Sequence, residues 1–170
     1  MVDIQIKQRT FLSHKAIKEI ASELEGKYGK AIQELLHRNV AIEEGDLSND
    51  GKVLIIEKQV SFFKPPGKGK QWIPFRDIAE RFDIPQIVID QPAVPYIADG
   101  ADVMRPGIVE IDERIKEGDL VAIVDEKNRI TLAIGKSKFD ATAMEAMDKG
   151  KVIKNIHHAG DRYWNLRSQV

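Results

Sequence analysis

His14, His37, His157 and His158 are the side chains of this sequence whose ordinary pKa lies near neutrality, and cysteine is absent. The missing thiol removes a disulfide framework, thiolate metal sites and a cysteine nucleophile together. None of the four histidines stands in a spacing that supplies an acid partner or a nucleophile for general-base chemistry. His157 and His158 are consecutive on a predicted strand, so their side chains point to opposite faces and cannot share a metal ion from that strand. Gly67-Lys68-Gly69-Lys70 lacks the upstream glycine and the following Ser or Thr of a phosphate loop. No catalytic residue, cofactor or metal is therefore expected, and a binding function outranks an enzymatic one.

Charge is the next source of chemistry. Twenty-six Lys and Arg against 27 Asp and Glu leave a net charge of −1, but the signs are segregated. Lys58, Lys64, Lys68, Lys70 and Arg76 occupy a stretch without an acid, and Lys151, Lys154, Arg162 and Arg167 face only Asp161 near the C-terminal end. Glu43, Glu44, Asp46 and Asp50 crowd one segment, and 99–119 holds seven acids against three bases. The basic stretches could dock an anionic partner or simply form solvated faces. Lys64, Lys68 and Lys70 flank Pro-Pro-Gly-Lys-Gly, a protruding loop, followed by Trp72, which could stack a base or pack against Phe62 or Phe75.

The segment Gly100-Ala101-Asp102-Val103-Met104-Arg105-Pro106-Gly107-Ile108 combines small residues with a breaker pair. Read as a helix start near Asp99, it would leave the N–H groups of Gly100 and Ala101 open to phosphate or sugar oxygens. Read plainly, it is a turn that needs small residues.

The elements that must carry these residues follow from periodicity and breakers. At 170 residues and 19.2 kDa the chain holds one ordinary domain or two small ones, large enough to bury roughly 70% of its unfolded surface. With 6% aromatic residues the core must be mostly aliphatic. Residues 2–9 read as a strand. Ser13 caps a helix carrying Ile17, Ile20, Ala21 and Leu24, and a second short helix covers 30–37. Strands follow at 52–57 and 59–64, extended chain at 72–74, and a short helix at 75–82. Near Asp83 the pattern changes. Strands are predicted at 86–90, 108–111, 119–125, 130–139 and 151–158, with 162–166 closing the set. Helices are confined to 99–104 and 141–149. This gives an α+β N-terminal domain over 1–83, then a mainly-β pseudo-barrel with two short helices over 84–170. No stretch approaches the ~20 apolar residues of a membrane span, and no signal-peptide core opens the chain, so a cytoplasmic protein with no membrane partner is expected.

The order GADVMRPGI, GDLVAIVDEKNRITLAIGKSKFDA and GKVIKNIHHAGDRYWNL resembles the PUA domain of pseudouridine synthases and archaeosine transglycosylases. The stretch from Val60 to Gly107 resembles the junction in the family of the malignant T-cell amplified sequence protein and its archaeal relatives, where a small α+β domain precedes the PUA domain. The resemblance implies binding of structured RNA at Gly100, Ala101, Asp102, Met104, Arg105, Pro106 and Gly107, with Lys151, Lys154 and His157 nearby. It also implies work in translation, in initiation or ribosome recycling, or in tRNA or rRNA maturation. Its partners would then be tRNA or rRNA at the small ribosomal subunit and a translation-factor protein. The other reading is a protein–protein adaptor with a PUA-like scaffold; steep salt dependence of RNA binding separates the two.

Overall fold

The computed structural model describes residues 2–37 and 39–170. Contacts divide the chain into two compact units, Met1–Asp83 with Arg162–Val170, and Ile84–Asp161.

The first unit is built on an antiparallel sheet in sequential order: β1 (Ile6–Phe11), β2 (Ile42–Leu47), β3 (Lys52–Ile56), β4 (Gln59–Lys64) and β5 (Ile73–Pro74). Between β1 and β2 run α1 (His14–Tyr28) and α2 (Ala31–Leu35). The Ser13 hydroxyl accepts from Ala16 N–H and so caps α1, while Ile17, Leu24 and Tyr28 bury one face of it. A single turn, α3 (Arg76–Ala79), replaces the longer helix expected over 75–82.

Strand β2 falls where the acidic crowd was read only as charge. Three of those acids are neutralised across the sheet: Arg9 makes two hydrogen bonds to Glu43, and Lys52 bridges Glu44 and Asp46. The expected strand at 162–166 is instead a 3₁₀ segment, Trp164–Gln169, and the tail groups with the first unit rather than with 84–161. Side-chain contacts explain this. Tyr163 stacks on Phe63, Leu166 is fully buried, and the Gln169 amide bonds Ile6 N–H and Ile4 carbonyl.

In the second unit a six-stranded sheet runs in the order β7 (Val103–Met104), β11 (Lys151–His158), β10 (Thr131–Ser137), β9 (Leu120–Asp125), β6 (Gln86–Ile89), β8 (Ile108–Ile111). Only β6–β9 is parallel. Two short helices, α4 (Val94–Ala98) and α5 (Ala141–Glu145), complete a mainly-β, nearly closed barrel. Its core is aliphatic, with Ile87, Ile89, Val121, Ile123, Ala133, Val152 and Ile153 almost wholly buried. Every residue of β9 is buried, as expected for a strand covered on both faces. Gly135 lies at a bulge in β10 where a Cβ would strike Ile153 and Ile123, so two strands approach closely there. No helix among the described residues is long and apolar enough to cross a membrane.

Candidate functional site

The short α4 ends at the small-residue segment, which reverses the expected helix start at Gly100 and Ala101. Gly100 N–H donates to Ile97 carbonyl at 3.1 Å and Ala101 N–H to Tyr96 carbonyl at 2.9 Å, so both close the helix C-terminus. Gly100 takes φ +103°, a backbone region that favours glycine, and this turns the chain out of α4. The helix lies earlier than expected because Asp90 accepts from Ala93 N–H and caps the turn before it, and Pro95 fits the helix's first turn. The two N–H groups are thus spent within the protein. What the loop offers a partner is a surface with almost no side chain: Ala101 is exposed and Gly100 half-buried.

Residues of β11 brace that loop. Asn155 Nδ2 donates to the carbonyls of Ile97 (3.0 Å) and Ala101 (3.1 Å), and Asn155 N–H donates to Asp102 Oδ1 at 2.7 Å. Asp102 also meets Lys151 Nζ at 2.9 Å. Partial burial pushes the Asp102 carboxyl up, but the Lys151 and Asn155 hydrogen bonds outweigh it and hold the group below the usual carboxylate range. The His158 ring lies against Gly100: a Cβ placed there would come within 2.7 Å of Nε2. His158 Nδ1 stands 2.9 Å from the Ala159 carbonyl, which can only accept, so Nδ1 is the donor in that bond.

The structure therefore gathers Gly100, Ala101, Asp102, Met104, Lys151 and Lys154 at the α4–β7–β11 edge, with Met104 opposite Lys151 in register. Met104 is 49% exposed, and Lys151 and Lys154 are exposed. Pro106 and Gly107 continue from the edge in a 3₁₀ turn. Arg105 points inward instead. Its Nε donates to Met144 carbonyl at 2.7 Å and its side chain is 17% exposed, so it ties this edge to α5.

His157 is fully buried with Nδ1 2.9 Å from Asp161 Oδ2, because strand alternation turns it away from the face that His158 occupies. Lys64, Lys68 and Lys70 lie in the first unit. Lys68 and Lys70 are exposed, whereas Lys64 ends β4 with its ammonium 4.8 Å from the centre of the Trp72 ring. Trp72 is 2% exposed, so it packs in the core and offers no stacking surface.

Three residues of this edge were not among the expected site residues. Tyr96, 70% exposed on α4, is an aromatic ring left in solvent one turn before the loop. Asn155, a lone amide within an otherwise basic and apolar strand, was the available signal for loop bracing. His158 gave no signal, because only the fold brings it to Gly100.

The PUA domain family model matches residues 85–159. An uncharacterized protein of Methanocaldococcus jannaschii is 34% identical over 166 residues, which covers 96% of this chain and 99% of that protein. Translation machinery-associated protein 20 of Eremothecium gossypii is 27% identical over 148 residues, covering 82% of this chain and 80% of the relative. Among solved structures, a hypothetical protein of Pyrococcus horikoshii superposes with a TM-score of 0.77 at 30% identity, over 94% of this chain and 99% of that one.

Proposed function

Because the chain belongs to the PUA-domain family, with translation machinery-associated protein 20 and the malignant T-cell-amplified sequence proteins among its relatives, we propose that it is a non-catalytic, cytoplasmic RNA-binding protein acting in translation. Structured RNA, tRNA or rRNA of the small ribosomal subunit, would lie against the α4–β7–β11 edge. One observation carries this reading: Gly100 and Ala101 form a bare surface directly beside the exposed lysines of β11. A backbone can approach such a surface closely, and the ammonium groups supply the charge that phosphates require.

The roles differ from residue to residue. Gly100 and Ala101 admit the RNA by shape. Lys151 and Lys154 contact phosphate, Met104 and Pro106 give apolar contact, and Asp102 orients Lys151. Asn155 and His158 hold the loop in place. Tyr96 is positioned to stack an unpaired base. Lys68 and Lys70 provide a separate cationic contact on the first unit.

Crosslinking in cells tests the proposal. Recovery of tRNA or small-subunit rRNA with crosslinks on 96–107 or 151–158 is expected. Recovery of protein partners alone, with salt-insensitive association, would instead mark an adaptor.

A further inference from the structure

Beyond the Gly100 edge, β10 and β11 surround an open groove of about 710 Å³ with Lys136, Lys138, Lys151 and Lys154. Lys136 and Lys154 are directly opposite in the antiparallel register. Like charges so placed destabilise a sheet, and nothing in the fold requires either ammonium there. Lys138 lies just past the end of β10 and, like Lys136, is exposed and lines the groove.

Two acids border the groove, Asp102 and Glu117. Asp102 neutralises Lys151 at 2.9 Å, but no ion pair among the described residues engages Lys136, Lys138 or Lys154. The backbone and hydroxyl groups of the floor are already bonded: Gly118 N–H donates to Ser137 carbonyl and Ser137 Oγ donates to Phe139 carbonyl. A ligand would therefore be met by three ammoniums outside any ion pair, of which only Lys154 lies near enough to Asp102 to act on its carboxyl, in a groove much larger than one small anion needs. Those properties fit an extended polyanion. Asp102 belongs both to this groove and to the Gly100 loop, so the two surfaces are continuous.

We propose that this groove carries the sugar–phosphate backbone of the RNA strand that meets Ala101, with Lys136, Lys138 and Lys154 each neutralising phosphate. The inference rests on the RNA-binding reading and extends it to a second wall, on β10.

The full chain and unfractionated deacylated tRNA test it by fluorescence anisotropy across a salt series. Lys136→Gln/Lys138→Gln should leave Tm at or slightly above the wild-type value, because the Lys136–Lys154 repulsion is removed, and weaken binding at low salt. The slope of log K against log salt should become shallower by about 1.4–1.8, the contribution of two phosphates. The control Lys127→Gln/Lys149→Gln removes two exposed lysines of the same unit outside the groove and should leave the slope unchanged. An unchanged slope in Lys136→Gln/Lys138→Gln, with Ala101→Trp still abolishing binding, would overturn the groove and leave the RNA-binding reading standing. Equal flattening by the control pair would also overturn it, since diffuse charge would then account for the effect. No tRNA binding by the wild-type chain at any salt would overturn the underlying reading itself.

Discussion

Replacing Gly100 by alanine adds a methyl group at φ +103°, with its Cβ 2.7 Å from His158 Nε2. Two separable costs follow. The backbone cost of a side chain in this region is about 1–3 kcal/mol. The contact cost arises because the His158 ring must swing away and lose its hydrogen bond to Ala159 carbonyl, about 1 kcal/mol. Gly100→Ala should therefore destabilise the protein by about 2–4 kcal/mol. In a His158→Ala background the ring is gone and only the backbone cost remains, so the same substitution should cost about 1 kcal/mol less. Urea unfolding of wild type, both single variants and the double variant measures that coupling directly. Equal costs in the two backgrounds would refute the contact between Gly100 and His158. A cost below about 0.5 kcal/mol in the wild-type background would refute the loop conformation itself.

Arg105→Ala should act on stability rather than on RNA. Losing its hydrogen bond to Met144 carbonyl should cost about 1.5–3 kcal/mol, visible as a lower Tm with the salt slope of RNA binding unchanged; a flattened slope at constant Tm would assign it to phosphate instead. Asp112, hydrogen-bonded by Arg114 and by Gln86 N–H, has its pKa lowered to about 2. Its stabilisation should be fully present above about pH 4 and disappear as pH falls through about 2. Because half-exposed Arg114 leaves the pair screened by solvent, Asp112→Asn should cost about 1 kcal/mol at neutral pH and flatten stability between those limits, which chemical denaturation at several pH values checks. A fragment of residues 84–161 should fold alone as a β-rich domain, since it keeps the whole six-stranded sheet and its core; random-coil circular dichroism would show that the barrel depends on the rest of the chain.

Periodicity and breakers made most strands legible: Lys52–Ile56, Gln59–Lys64, Ile108–Ile111 and Lys151–His158 all lie where alternation or β-branched runs placed them. Strand β2 was hidden because its sequence, IEEGDL, reads as a charge cluster until Arg9 and Lys52 are known to lie beside it. The helix near Gly100 was displaced by one element's length, because small residues suit either end of a helix and only the Asp90 cap and Pro95 decide between them. The C-terminal tail was misread for a different reason. Its 3₁₀ form depends on Phe63 and Ile6, far away in sequence. At the site, residue types singled out the Gly100 segment as either a turn or an open backbone surface, and only the family resemblance set Lys151 and Lys154 beside it. The inward turn of Arg105 comes from the 3₁₀ turn it opens and its bond to Met144, and which of His157 and His158 is buried comes from strand register; local sequence encodes neither.

Ala101→Trp sets a large side chain where RNA would lie against the bare surface of the loop. Ala101 is exposed, and its N–H and carbonyl bonds involve only backbone atoms of its own, so a large side chain there should leave the fold and Tm intact. With deacylated tRNA as ligand, affinity should fall at least tenfold, equivalent to about 1.4 kcal/mol or more. Wild-type affinity in a variant with unchanged circular dichroism and Tm would contradict that placement of the RNA.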